Sequence, residues 1–266
     1  MKIGIFDSGL GGLVIAKAIF NKLPGYDYTY LGDTKRVPYG NRSKNDVFKF
    51  TKAGVKCLFG QDCKLVILAC NTASALALRK IQQEFLPKAY PDRRVLGVVI
   101  PTLEEADKKH NGKIIGVLGT AATVNSHIYK KELMKIDPKA KIFELAAPKL
   151  VPLIEQNSLQ KAKKALKSYM KPLLKHKIEA LVLGCTHYPI LKNEIAKIAG
   201  KNVKVVSQTD FLPGKLKNYL RRHKEINSKL SKNRKREFLV TDFNKDFDDV
   251  AKRLFGKKLK FKVVSL

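Results

Sequence analysis

Cys70 and Cys185 occupy matching positions in the sequence and could act as acid/base groups. Each cysteine follows a short apolar run, residues 65–69 and 180–184, and each precedes polar residues typical of a helix start. A cysteine at such a position lies beside unpaired backbone N–H groups, which favour the thiolate and also bind carboxylates. A lone free cysteine at a strand end is usually a small buried apolar side chain, but the repetition favours a shared site.

A pair of thiols that face each other across one carbon atom can invert that carbon. One thiolate removes a proton from one face, and the opposite thiol returns a proton to the other face. The α-proton of an amino acid is weakly acidic, so the transition state needs stabilising charges, hydrogen bonds or a cofactor electron sink. No lysine lies in a distinctive motif beside a phosphate-binding loop, although the residues alone leave pyridoxal phosphate open.

Two further segments carry polar residues that could contact a substrate. Asp7 and Ser8 follow the first apolar run, and the glycines after them lack the spacing of a dinucleotide-binding loop. Asp7 fits an acid/base or hydrogen-bonding role, and Ser8 can offer its hydroxyl and N–H to a carboxylate. Residues 32–40 are polar and rich in Pro and Gly, which predicts a loop; composition alone favours a plain surface connection.

The elements that must position these groups alternate along the chain. Longer helical patterns, such as residues 10–22, separate short apolar runs at residues 3–6, 28–31, 65–69, 114–118 and 180–184. This alternation predicts the α/β class with mainly parallel sheets. The run at 114–118 with Gly119 and Thr120 resembles the first run with Asp7 and Ser8, and a similar length of chain then leads to each cysteine. The repeat predicts two pseudo-symmetric α/β domains.

Ligands bind beyond the carboxyl ends of parallel strands, so two such domains predict an active site in the cleft between them. A strand-like run at residues 260–264 ends the chain, and we expect it to return to the first domain. We therefore predict a first domain of residues 1–97 plus 208–266, with Asp7 and Cys70. Residues 98–207 form the second predicted domain, with Cys185 and His187.

Composition limits the class of protein and its partners. No run approaches the ~18 apolar residues of a membrane span, so we expect a cytoplasmic protein without a membrane partner. Four cysteines without an export signal argue against a disulfide framework, and Cys57 and Cys63 lack metal-ligand spacing. The 53 Lys and Arg against 23 Asp and Glu give a formal net charge of +30, which could attract nucleic acid or anionic substrates. The lysines are spread along the chain with few aromatic residues among them, which favours a solvated surface.

In combination, these motifs resemble the bacterial glutamate racemases of the aspartate/glutamate racemase superfamily. The resemblance is nearly full length and depends on Asp7-Ser8-Gly9 and on residues 32–40, 69–75, 119–123, 152–155 and 183–189, in the family's order. It implies interconversion of L- and D-glutamate without cofactor or metal, supplying D-glutamate for peptidoglycan and hence for cell-wall biogenesis and cell shape. The resemblance further implies a homodimer.

The resemblance also implies roles for individual residues. Cys70, assisted by Asp7, would act as the base on D-glutamate, and Cys185 would act as the base on L-glutamate. Glu155 and His187 would assist Cys185. The substrate would contact Asp7, Ser8, Pro38, Tyr39, Gly40, Asn71, Thr72, Thr120, Thr123, Thr186 and His187.

Two alternatives stay open at this point. An aspartate racemase would share the paired thiols, although the segments 185–189 and 38–40 favour glutamate. The other alternative, which the spread of the lysines does not favour, is a racemase-like scaffold that binds nucleic acid or an acidic partner through its +30 charge. Salt-dependent DNA binding by a variant without Cys70 and Cys185 would support that second alternative.

Overall fold

The structure, a computed structural model, describes residues 1–108, 112–244 and 246–266. Within these ranges the strands are β1 (Lys2–Asp7), β2 (Tyr28–Gly32), β3 (Cys63–Leu68), β4 (Arg94–Gly97), β5 (Ile114–Gly119), β6 (Lys141–Ala146), β7 (Ala180–Gly184), β8 (Lys204–Val206), β9 (Arg236–Val240) and β10 (Phe261–Val263). They form two sheets, with orders β10-β9-β2-β1-β3-β4 and β6-β5-β7-β8, and every pairing of described strands is parallel. The predicted α/β class with two parallel sheets is therefore confirmed.

Helices cover both sheets. They are α1 (Leu13–Lys22), α2 (Lys44–Gly60), α3 (Asn71–Leu76), α4 (Leu78–Lys80), α5 (Leu86–Ala89), α6 (Val99–Ala106), α7 (Ala121–Asn125), α8 (Ile128–Ile136), α9 (Leu150–Glu155), α10 (Leu159–Lys175), α11 (Lys192–Ala199), α12 (Gln208–Arg222), α13 (Lys224–Asn227) and α14 (Asp246–Phe255). Among the described residues, no helix is long and apolar enough to cross a membrane.

Alternate residues of the strands supply the cores on the two faces of each sheet. In β1, Ile3 and Ile5 pack with α1, α12 and α14, whereas Phe6 packs with α2 and α3. The second sheet likewise has one core beneath α10 and α11 and another beneath α6 and α8. Because both faces are covered, the central strands are apolar at nearly every position, which is why continuous apolar runs predicted them.

The predicted helix over residues 10–22 begins at Leu13, and a tight turn occupies the preceding residues. Gly12 makes this turn possible, since a Cβ at Gly12 would lie 2.5 Å from the Cβ of Asp7. The turn keeps the end of β1 close to the start of α1. Asp7 and Ser8 are consequently fixed at the carboxyl edge of the first sheet.

The chain returns to the first sheet after completing the second. Strand β9 pairs with β2, and β10 pairs with β9, so residues 236–263 complete a sheet that residues 2–97 begin. The strands of the second sheet all come from residues 114–206. Leu212, Leu216 and Leu220 of α12 pack in the core beside α1. We keep residues 1–97 plus 208–266 and residues 98–207 as the proposed domain boundaries.

Candidate active site

A cavity of about 200 Å³ lies where the carboxyl ends of β1, β3, β5 and β7 meet between the two sheets. Both thiols, Cys70 and Cys185, line it. The other predicted residues on its wall are Ser8, Pro38, Tyr39, Gly40, Asn71, Thr72, Thr120, Glu155, Thr186 and His187. A larger cavity of about 270 Å³, lined by Ser74, Leu78 and Leu212, has no cysteine among the described residues of its wall.

Cys70 caps the start of α3, as the sequence predicts. Its sulfur accepts a hydrogen bond from the Ala73 N–H at 3.4 Å, and its thiol donates to Ser8 Oγ at 3.3 Å. Burial, reinforced by the negative charge of Asp7, raises the pKa of Cys70 to about 12. The expected preference for a thiolate is therefore wrong for Cys70, because desolvation outweighs the helix N-terminus.

Asp7 lies behind the cavity wall rather than on it. The Gly9 N–H donates to Asp7 Oδ2 at 3.1 Å, and the Thr186 hydroxyl donates to Asp7 Oδ1 at 3.4 Å. Burial raises the pKa of Asp7, although nearby His187 and the backbone N–H groups of Gly12 and Gly9 act in the opposite direction. Because Thr186 follows β7, this carboxyl group joins the two halves of the site.

Cys185 follows β7 directly but does not cap a helix. A turn closed by the Tyr188 N–H on the Cys185 carbonyl at 3.2 Å comes next, then a short 3₁₀ helix, Tyr188–Leu191, with Pro189 in its first turn. Helix α11 begins at Lys192. The predicted helix start at Cys185 is wrong because this turn and the 3₁₀ segment intervene.

His187 connects Cys185 to Glu155. Its Nδ1 lies 3.8 Å from Cys185 Sγ, and its Nε2 lies 3.0 Å from Glu155 Oε1. Burial alone would lower the pKa of His187, but its hydrogen bonds to Cys185 and Glu155 raise that pKa to about 10. At neutral pH the imidazole is therefore cationic, and its Nδ1 faces the Cys185 sulfur.

Three threonine hydroxyls at the starts of α3 and α7 connect the carboxyl ends of the two sheets. Thr72 Oγ1 lies 3.0 Å from Thr120 Oγ1 and 3.1 Å from Thr123 Oγ1. Thr120 also caps α7 by accepting from the Thr123 N–H at 3.3 Å. Thr123 is fully buried behind the cavity wall, so its direct contact with substrate stays a prediction, as it does for Asp7.

The loop over residues 32–40 is not a plain surface connection. Asp33 is buried and accepts hydrogen bonds from the Tyr39 hydroxyl at 2.6 Å and from the Thr241 hydroxyl at 2.8 Å. Tyr39 is 1% exposed and lines the cavity. Composition alone missed this role because Asp33 finds a partner beyond β9, far away in the sequence.

Four residues that support the site were missed from the sequence. Gly11 lies against His187, and Asp33 holds Tyr39, whereas Tyr129 and Gln208 donate hydrogen bonds to Asn71 Oδ1. The glycine-rich turn was a usable signal for Gly11, since a Cβ there would lie 2.5 Å from the His187 ring. Tyr129 and Gln208 carry no local signal, because their contacts depend on distant segments.

Among the described residues, the cavity wall contains neither Lys nor Arg, despite the formal net charge of +30. Hydroxyl and amide groups and the starts of α3 and α7 are the donors that an anionic ligand would meet. In the part of the chain that the structure describes, no group of three or more His, Cys, Asp or Glu is arranged to hold a metal ion.

The fold and site define an α/β enzyme with acid/base groups facing a cleft between two parallel sheets. Residues 26–212 match the Asp/Glu/Hydantoin racemase family, and the chain belongs to this family. The protein is accordingly an isomerase of the racemase class. Its sequence is 40% identical to the glutamate racemase of Aquifex pyrophilus, over 97% of this chain and 95% of that protein. It is 38% identical to the glutamate racemase of Aquifex aeolicus (strain VF5), over 100% of this chain and 98% of that protein.

Solved structures with the same fold include two glutamate racemases. The crystal structure of isoform RacE1 from Bacillus anthracis superposes with a TM-score of 0.90 at 32% identity, covering 100% of this chain and 97% of that one. The glutamate racemase from Francisella tularensis subsp. tularensis SCHU S4, solved in complex with D-glutamate, gives a TM-score of 0.88 at 33% identity. That match covers 99% of this chain and 97% of the other.

Proposed function

We propose that this racemase interconverts L- and D-glutamate with Cys70 and Cys185 as its two acid/base thiols and without a cofactor. One observation carries the proposal: both thiols line a single small cavity, and each has its own polar partners. The product D-glutamate would supply peptidoglycan synthesis. The cytoplasmic location and the homodimer stay predictions, and sedimentation analysis of the purified protein tests the latter.

The proposed substrate agrees with the polar groups of the cavity. Glutamate presents two carboxylates, and the Ser8 hydroxyl and the Asn71 amide can donate hydrogen bonds to such groups. The relatives with 38–40% identity over nearly the full chain are glutamate racemases, and one similar structure contains D-glutamate. These similarities favour glutamate over aspartate as the substrate.

The proposed reaction moves one proton off the substrate and one proton onto it. From L-glutamate, Cys185 in its thiolate form removes the α-proton and becomes a thiol, and His187 Nδ1 lies 3.8 Å from its sulfur. Cys70, whose raised pKa keeps it protonated, gives its proton to the opposite face of the carbanion. The product is D-glutamate, and the two sulfurs have exchanged protonation states. Reversal of these roles converts D-glutamate to L-glutamate.

The carbanionic transition state must be stabilised by groups that are already in place. Neutral hydroxyl and amide donors, together with the N-termini of α3 and α7, can stabilise the charge that spreads onto the α-carboxylate. Asp7 acts electrostatically on Cys70, and the hydrogen bond to Glu155 holds the His187 imidazole. Each thiol is thus supported by a different acidic residue.

Circular dichroism of L-glutamate tests the proposal. With reductant present and no added pyridoxal phosphate, the signal is expected to decay to zero as the two enantiomers equilibrate. A flat trace would reject glutamate racemisation. The same assay with L-aspartate is the specificity control, and a higher kcat/KM for aspartate would replace glutamate as the substrate.

A further inference from the structure

The side-chain amide of Asn71 has two ends with different surroundings. Its Oδ1 accepts hydrogen bonds from the Tyr129 hydroxyl at 2.6 Å and from Gln208 Nε2 at 3.2 Å. Its Nδ2 is buried and has no hydrogen-bond partner among the described residues, although Asn71 lines the cavity. A buried N–H₂ group without a hydrogen bond destabilises the folded protein, so this nitrogen is available to donate to a ligand.

The Val98 carbonyl determines which atoms donate and which accept in the hydrogen bonds that connect Thr102, Gln208 and Asn71. The Val98 carbonyl can only accept, and the Thr102 hydroxyl donates its single hydrogen to it. The Thr102 oxygen is then left to accept from Gln208 Nε2 at 3.4 Å. Because the nitrogen end of Gln208 faces both Thr102 and Asn71, the Asn71 atom beside it has to be an acceptor.

The opposite orientation of the Gln208 amide is disfavoured. It would bring the Gln208 oxygen against the Thr102 oxygen, whose hydrogen is already donated, and against Asn71 Oδ1. The observed orientation is kept although it leaves Gln208 Oε1 buried and unpartnered within the described residues. The hydrogen bonds from Gln208 to Asn71 and Thr102, and from Thr102 to Val98, therefore fix the Asn71 atom beside Gln208 as the oxygen.

We propose that Thr102 and Gln208 are positioning residues that turn the Asn71 N–H₂ group toward the cavity as a donor to a substrate carboxylate. This inference rests on the proposed function and deepens it, because it names the residues that orient the Asn71 amide. Neither Thr102 nor Gln208 lines the cavity, so both act through Asn71. If the Asn71 amide turned over, its oxygen would face the carboxylate and the interaction would become repulsive.

Binding without turnover provides the test. In a Cys70→Ser, Cys185→Ser background, isothermal titration calorimetry measures the Kd of D-glutamate and L-glutamate. Thr102→Val keeps the shape of the side chain but removes its hydroxyl, and it is expected to raise Kd about tenfold, as the loss of one hydrogen bond to a charged group would. Thr102→Ser keeps the hydroxyl and is the matched control, with a Kd close to that of its parent.

A double-mutant cycle with Asn71→Ala separates positioning from a general structural role. If Thr102 acts through Asn71, Thr102→Val causes no further loss of binding once Asn71 is Ala. Equal losses in both backgrounds, or an unchanged Kd for Thr102→Val alone, would overturn the proposal. Gln208→Met enters the same cycle if thermal unfolding shows that Thr102→Val does not fold.

The active enzyme gives an independent result. With both cysteines restored, Thr102→Val and Gln208→Met are expected to raise KM more than they lower kcat, whereas Thr102→Ser leaves both unchanged. A loss confined to kcat would contradict the positioning role. Failure of the unsubstituted enzyme to racemise glutamate would instead refute the proposed function, so the two failures are distinguishable.

Discussion

A methyl group at Gly11 tests how strongly catalysis depends on the position of the His187 ring. A Cβ at Gly11 would lie 2.5 Å from His187 Cε1, 2.6 Å from its Nδ1 and 2.5 Å from Thr186 Oγ1, whereas ordinary contact begins at 3.4 Å. The ring would have to move by about 0.9 Å, because the backbone of the turn is tightly packed. Its Nδ1 lies 3.8 Å from Cys185 Sγ, so a displacement of this size would change the geometry of that contact. Since a misplacement of about 1 Å can cost ~10²-fold, we expect kcat/KM of Gly11→Ala to fall about 100-fold.

Gly25→Ala is the matched control, because a Cβ at Gly25 meets no atom of the described residues within 4 Å. Racemisation followed by circular dichroism and thermal unfolding are measured for both variants. Overpacking costs about 1–3 kcal/mol, so Gly11→Ala is expected to unfold at a lower temperature, while Gly25→Ala keeps both properties. Wild-type kcat/KM in a folded Gly11→Ala enzyme would refute the reasoning, since His187 would then have moved without consequence.

Three further predictions concern the thiols, His187 and Asp27. Cys70→Ser and Cys185→Ser are each expected to lower kcat about 10²-fold or more, and a wild-type rate in either variant would exclude the two-base mechanism. The pKa of His187 is raised from 6.5 to about 10 on folding, so its stabilisation is complete below pH 6.5 and lost as pH rises toward 10. Urea unfolding of wild type and His187→Gln should therefore show a stability difference that shrinks over this range, and a constant difference would contradict the shift. The Asp27 carboxylate accepts from the N–H groups of Asn233 at 2.9 Å and Lys235 at 2.8 Å, so Asp27→Ala is expected to cost about 1–3 kcal/mol. These and related hydrogen bonds outweigh burial and lower the pKa of Asp27, so its stabilisation is complete above pH 3.8 and lost at lower pH. Equal urea stability of Asp27→Ala and wild type at pH 7 would disprove this role.

Most of the fold was predictable because buried parallel strands leave continuous apolar runs in the sequence. The runs at 3–6, 28–31, 114–118 and 180–184 match strands β1, β2, β5 and β7 to within one residue at each end. The predicted start of the first helix at residue 10 was wrong, because a turn that contains Gly11 and Gly12 precedes α1, which begins at Leu13. Strand β9 was not recognised individually because its partner β2 lies about two hundred residues away, and local patterns do not encode such pairing.

The candidate site was predictable as far as its residues follow strand ends. Cys70 and Cys185 were found because each comes directly after a buried run. The high pKa of Cys70 could not be predicted, because a sequence indicates where a helix starts but not how deeply a side chain is buried. Asp33 and Gln208 were missed for a related reason: each acts through a hydrogen bond to a residue that only folding brings near.

The return of the chain to its first sheet sets an order for folding during synthesis. Residues 114–206 contain all the described strands of the second sheet, so that sheet can form as soon as this stretch leaves the ribosome. The first sheet is complete only after residues 236–263 have been synthesised. The cavity wall at Tyr39 also depends on this segment, because Asp33 accepts hydrogen bonds from both Tyr39 and Thr241. A nascent chain would therefore be able to form the sheet that carries Cys185 before the pocket is complete, and the pocket is complete only once residues 236–263 have joined the first sheet.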